Sequence, residues 1–228
     1  MKQPVVDYRR FRFSKLNDPE FSHLKLLAGW LVYFLFYYLT ESFIPYGSCH
    51  LIHSRLDDLI PFNEFFFIPY CFWYLLIVFS LGYFALYNVQ NFRNLQIYII
   101  ITQVVAMTVY ILYPSIQDLR PTEFARDNFF THLAAVIYTV DTPTGVCPSL
   151  HVAYSLGIGS CWLKEKSAKW PWKAFVVFSV ILISISTTVV KQHSVIDVLC
   201  ALPVGLLAEA LVFGKYWKAK FSGKQKAV

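Results

Sequence analysis

The chain is short of charge. Asp, Glu, Lys and Arg supply 15% of its 228 residues, where a soluble domain carries about 25%. Hydrophobic residues supply 57%. A surface built from so few charges could not hide them, so a soluble globular fold is excluded. Cysteines are few and scattered. Cys49, Cys71, Cys147, Cys161 and Cys200 form no CxxC pair and no ligand spacing, so a cysteine-based metal site is not expected. Most fall in or beside apolar runs, where a thiol behaves as a small hydrophobe. The N-terminal stretch lacks the short apolar core and small-residue cleavage site of a signal peptide. No internal repeat and no low-complexity tract is visible.

Long apolar runs are what the chain has, with a mean hydropathy of +0.48. A membrane-spanning helix needs roughly 20 apolar residues. Candidate runs cover residues 24–44, 65–87, 95–112, 149–163, 175–190 and 195–213. The fourth is short and rich in Ala153, Gly157, Gly159 and Ser160, small residues that let helices approach closely inside a bundle. A polar stretch, 113–148, forms the one sizeable loop. The expected fold class is all-α, a polytopic membrane helical bundle of about six transmembrane helices. One membrane domain, 24–213, lies between an N-terminal segment, 1–23, and a basic tail, 214–228.

Basic residues set the orientation. Lys2, Arg9, Arg10, Arg12 and Lys15 precede the first run, and Arg93 separates the second and third. Lys164, Lys166, Lys169 and Lys173 fall between the fourth and fifth, and Lys215, Lys218, Lys220, Lys224 and Lys226 follow the last. With six crossings these all lie on one side. Both termini are therefore expected to be cytoplasmic, and the 46–64 and 113–148 loops to face outward. Cys49 and Cys147 then share the outer side and are the one pair open to a disulfide.

Three polar clusters sit at run ends on that outer side: Asp118-Leu119-Arg120-Pro121, Cys147-Pro148-Ser149-Leu150-His151, and Lys191-Gln192-His193 followed by Asp197. Pro148 suits the first turn of a helix, where its missing N–H costs nothing. Ser149 then offers a hydroxyl and a free backbone N–H at the positive end of a helix, which suits a phosphate. His151 is placed to protonate a departing alkoxide. His193 and Asp197 are four residues apart and share a helix face. The carboxylate fixes the imidazole tautomer and frees the other ring nitrogen as a nucleophile. Arg120 and Lys191 bring positive charge to a phosphoryl group. A carboxylate inside a membrane helix is costly without a partner, and His193 is the partner within reach of Asp197.

These residues resemble the type 2 phosphatidic acid phosphatase superfamily. Pro148-Ser149-Leu150-His151 is similar to its PSxH signature. His193-Ser194-Val195-Ile196-Asp197 matches the HxxxD end of its last motif, and Arg120-Pro121 resembles the close of its first. The resemblance runs from about the second span onward. It is nearest to the branch related to inositol phosphorylceramide synthases, through the PSLH-type motif, a base shortly before the last histidine, Ile60-Pro61-Phe62 and Pro69-Tyr70. It implies chemistry through a phosphohistidine without metal or cofactor. His193 would be the nucleophile, Asp197 its orienting partner and His151 the acid, with Arg120, Lys191 and Ser149 binding phosphate. Two family cations are replaced. Tyr113 stands where a lysine is usual and Thr187 where an arginine follows Ser186, while Lys191 is near enough to take over one charge.

Other features read as structural. His50, His53, Asp57 and Asp58 suggest a metal cluster but lack a closing ligand pattern, so a solvated loop is expected. Asp141 is explained by a turn or cap. The aromatic stretches 33–38 and 65–67 suit interfacial belts or bundle packing. The basic tail suits anionic lipid headgroups, and no nucleic acid is needed to explain it. The expected partners are a lipid phosphate substrate and membrane lipids; nothing in the sequence specifies an oligomeric state. The leading expectation is hydrolysis of a lipid phosphate or diphosphate at the outer face of a bacterial cytoplasmic membrane. Transfer of a phosphoryl-headgroup between lipids is the second reading. A non-catalytic lipid transporter or scaffold is the third, and it alone predicts that replacing His193 leaves function intact.

Overall fold

The computed structural model of the protein describes residues 3–222. Lys2, Lys224 and Lys226 lie outside that range. Eight α-helices occur among the described residues: α1 (Ala28–Phe43), α2 (Arg55–Leu59), α3 (Phe67–Tyr87), α4 (Val89–Leu112), α5 (Phe129–Val140), α6 (Leu150–Lys164), α7 (Trp170–Val189) and α8 (Val195–Phe221). Two-residue strands β1 (His50–Leu51) and β2 (Ser115–Ile116) pair in parallel and tie two loops together. The protein is an all-α membrane bundle. Five segments are long and apolar enough to cross a membrane: Ser22–Phe43, Glu64–Tyr87, Val89–Leu112, Trp170–Val189 and Val195–Phe221.

The fourth expected segment differs. α6 has 15 residues, about 22 Å of helix at 1.5 Å per residue, and falls short of a bilayer core. It does not need the length or the hydropathy, because it is the central helix. α4, α7 and α8 pack around it, and Val152, Ala153, Tyr154, Ile158, Cys161 and Trp162 are all buried. Its small residues make that possible. A Cβ at Gly157 would stand 2.5 Å from Cδ1 of the buried Tyr98 on α4. The same tyrosine donates its hydroxyl to the Gly205 carbonyl of α8 at 2.8 Å, so one side chain joins three helices.

Alternating crossings gather the loops at two ends. At one, Val5 N–H donates to Leu86 O at 2.7 Å and Tyr8 Oη to Ala85 O at 3.0 Å, which tucks the N-terminal segment against α3. Glu165 accepts from Asn88 and Asn91 at 2.6 and 2.9 Å, and Lys164 pairs with Glu209 at 2.6 Å. The basic stretches of the sequence meet here. α8 continues unbroken through Lys215, Lys218 and Lys220. The opposite end collects loops 44–66, 113–149 and 190–194.

Two expectations are corrected at that second end. The long loop is not merely polar, since it contains α5, started by an Asn128–Thr131 capping box. That short helix buries Thr131 and Ala134 and leaves Phe129, Val136 and Val140 exposed, the pattern of a helix lying on the bundle at the membrane surface. Cys49 and Cys147 are both free thiols.

Gly157→Val should overpack the contact with Tyr98 and destabilise the protein by about 1–3 kcal/mol. Thermal unfolding in detergent measures this, and an unchanged Tm would show that α6 does not need the glycine.

Candidate active site

The first turn of α8 organises the site. Ser194 is its N-cap and accepts from Ile196 N–H at 3.1 Å. Three residues on, Asp197 Oδ2 accepts from Ser194 N–H at 2.9 Å, a capping box read directly from the Ser194-to-Asp197 spacing. The same Oδ2 lies 3.2 Å from His193 Nδ1. His193 and Asp197 are 8% and 0% exposed, so the pair is buried as well as adjacent. His193 Nε2 has no hydrogen-bond partner among the described residues. Lys191, just upstream, holds φ at 55°. This left-handed conformation is uncommon for a side-chain-bearing residue. It turns the chain so that Gln192 N–H and His193 N–H both donate to Thr187 O at 3.0 Å.

A second carboxylate holds the same helix start. Asp57, on α2, is 2% exposed. It accepts from Ser194 Oγ at 2.6 Å, from Val195 N–H at 2.8 Å and from Ser54 N–H at 2.8 Å. Its backbone carbonyl accepts from Lys191 Nζ at 2.7 Å. The expectation of a solvated 46–64 loop therefore fails at this residue. The free N–H groups and positive dipole of a helix start favour an acid there. The signal in the sequence was Ser54-x-x-Asp57, a capping-box spacing of its own. His53 and Asp58 remain at the surface, paired at 2.9 Å.

The expected phosphate ligands are near but engaged elsewhere. Arg120 donates to Tyr138 O at 3.0 Å, to Asp141 O at 2.7 Å, to Thr142 O at 3.2 Å and to Gln192 Oε1 at 2.5 Å. Its guanidinium also stacks over Tyr138 at 4.7 Å. Burial lowers the pKa of Arg120 and of Lys191. Ser149 is the N-cap of α6, but its side chain makes no capping bond and its Oγ is buried without a partner. Its N–H is not free as expected: it donates to Asp197 O at 3.1 Å, locking α6 to α8. Pro148 precedes the cap rather than opening the helix.

His151 and His193 meet across the site, with ring centroids 5.7 Å apart. His151 lies between Tyr70 and Trp73, at 4.8 and 4.4 Å, and its Nε2 is buried without a partner. Both histidines line a cavity of about 550 Å³ between α1, α3 and α6. Its wall is largely aromatic, with Trp30, Tyr33, Tyr37 and Tyr74. Its polar end holds Asp141, Gln192 and the two histidines. Arg120, Lys191, Ser149 and Asp197 do not line it. α1 closes one side, pinned by Trp30 Nε1 to Gln96 Oε1 at 3.1 Å and by Glu41, which accepts from Thr142 and Thr144 hydroxyls.

Asp141 was expected to do no more than cap. Its N–H does close α5, at 2.8 Å from Ile137 O, but its carboxylate reaches the cavity. Asp141 Oδ2 accepts from Gln192 Nε2 at 3.1 Å and from Tyr70 Oη at 3.4 Å. Burial raises its pKa. No spacing rule pointed to Asp141, because its neighbours come from α3 and the α7–α8 turn.

Removing the Asp57 carboxylate should leave Ser194 Oγ and Val195 N–H without an acceptor. Asp57→Ala is expected to cost about 1–3 kcal/mol, and Asp57→Asn less, by thermal unfolding in detergent. Equal stability of all three proteins would show that Asp57 does not hold α8. In comparisons with known proteins, no family model, no curated protein and no solved structure matches this chain.

Proposed function

We propose that the protein is a membrane enzyme acting on a lipid phosphate or diphosphate through a phosphohistidine, as its resemblance to the type 2 phosphatidic acid phosphatase superfamily implies. One observation carries the reading. His193, oriented by the buried Asp197, faces His151 at 5.7 Å between centroids, in an apolar cavity beside lipid-exposed helices. Two imidazoles so placed can contact one phosphoryl group from opposite sides.

In this mechanism His193 Nε2 attacks phosphorus, and the departing alkoxide takes a proton from His151. Asp197 holds the Nδ1–H and stabilises the positive charge that develops on the ring. Water then gives a proton to His151 and attacks the phosphohistidine. Phosphate leaves and His193 returns to its starting state. The unpartnered Ser149 hydroxyl supplies a donor close to this chemistry. Arg120 and Lys191 supply charge either at a distance or by exchanging a carbonyl for phosphate oxygen.

Hydrolysis is the leading reaction. Transfer of a phosphoryl-headgroup to a second lipid is the alternative, and the cavity's aromatic lining favours it by keeping water scarce around the phosphohistidine. The basic stretches meet at the end of the bundle opposite the site, which supports an outward-facing site with cytoplasmic termini; a bacterial cytoplasmic membrane is the proposed location.

The test is phosphate release by purified protein from a panel of lipid phosphates and diphosphates, with EDTA present. Wild type should be active, and His193→Ala should lose at least about 10³-fold. His193→Ala with wild-type turnover would overturn the mechanism. Activity appearing only when an acceptor lipid is added would select transfer over hydrolysis.

A further inference from the structure

We propose that the polar end of the cavity binds an ammonium group, so that in the headgroup-transfer alternative given above the donor lipids are zwitterionic phosphodiesters in which the phosphate carries an amine-bearing headgroup. The place of the phosphorus rests on the phosphohistidine reading above; the cation site rests on its own geometry.

Asp141 is the centre of that site. It lines the cavity beside His193, His151 and Gln192. One carboxylate oxygen accepts from two neutral donors, Gln192 and Tyr70. The other has no hydrogen-bond partner among the described residues. Arg120 is close, but it bonds the backbone carbonyl of Asp141 and not its carboxylate. Among the described residues no lysine, arginine or histidine forms an ion pair with Asp141. A carboxylate in an apolar cavity is costly without a cationic partner; His193 and Arg120 lie within electrostatic reach of Asp141, and neither bonds its carboxylate.

The surroundings suit an ammonium group. Tyr33, Tyr37 and Tyr74 line the cavity within electrostatic reach of the Asp141 carboxylate, and Tyr70 lies in hydrogen-bond contact with it. Aromatic faces attract ammonium groups, quaternary ones included, and do so more strongly where water is excluded. Glu41 adds a second carboxylate at the same rim, behind Thr142 and Thr144. Against these acids stand Arg120 and Lys191, both turned onto carbonyls. A phosphomonoester dianion at His193 would face the Asp141 carboxylate, which no cation contacts directly. A phosphodiester ending in an ammonium group carries one negative charge fewer and gives Asp141 its counter-ion.

The experiment uses full-length protein in an uncharged maltoside detergent. Three probes are titrated by tryptophan fluorescence: hexadecylphosphocholine, hexadecylphosphoethanolamine and hexadecyl phosphate. Wild type should bind the two ammonium probes about 10-fold more tightly than hexadecyl phosphate, about 1.4 kcal/mol. Asp141→Asn should abolish the preference. Tyr74→Leu, at a half-exposed position on the cavity wall, should weaken the ammonium probes and leave hexadecyl phosphate unchanged, which keeps the test open if Asp141→Asn folds poorly. Tighter binding of hexadecyl phosphate by wild type, or a preference that survives both substitutions, would overturn the cation site. His193→Ala separates the two readings. It should keep the binding preference whatever its turnover, so turnover by that variant would sink the phosphohistidine and leave the cation site standing.

Discussion

Burying a carboxylate within a membrane protein is expensive, and the end of this bundle that holds the two histidines is arranged around two that are buried together. Asp57 and Asp197 both act on the first turn of α8, one from a loop helix and one from within the turn. The exposed N–H groups and dipole of a helix start are what let two acids share so small a space. Each acid then spends its remaining capacity on a neighbour. Asp197 turns His193, and through its backbone carbonyl it fixes the start of α6 at Ser149. Asp57 draws Lys191 and the 46–64 loop onto the same point. Three stretches far apart in sequence are thus locked by one helix end, and the position of both histidines follows from it.

α6 gives that arrangement its depth. Ringed by other helices, it carries His151 on its first turn and needs neither the length nor the hydropathy of a lipid-facing span. Glycine at 157 lets Tyr98 close against it, and the Tyr98 hydroxyl carries the contact on to α8. The Tyr98 phenol from α4 thus bridges the helix that carries His151 and the helix that begins just after His193.

Much of this was legible in the sequence. Apolar length marked the spans, and the HxxxD and PSLH patterns marked the residues that the fold brings together, because both depend on short spacing across a helix start. The orientation of His193 by Asp197 is of that kind. What the sequence hid depends on contacts between distant segments. Asp57 read as a loop acid because Ser194, which it meets, is far along the chain. Asp141 read as a cap because its carboxylate partners, Tyr70 and Gln192, come from two other elements. Ser149 read as a free donor because the Asp197 carbonyl that takes its N–H belongs to another helix. α5 was hidden for a different reason: its 12 residues are too few to register as a span.

The wall formed by α1 has a consequence for how the site fills. That helix buries none of its residues, and Leu31, Val32, Phe34 and Leu35 face outward, so the surface that closes the cavity is itself bathed in hydrocarbon. The Trp30–Gln96 bond, the Trp30–Tyr154 ring contact, a close fit at Gly29 and the Glu41 clasp fasten it. An amphiphile passing behind such a helix keeps its tails in lipid throughout, and avoids the cost of about 0.8 kcal/mol for every methylene that would otherwise enter water. Occupancy by the proposed amphiphile would then follow its mole fraction in the leaflet rather than its concentration in solution. Apparent affinity becomes a property of the surrounding membrane's composition as much as of the protein.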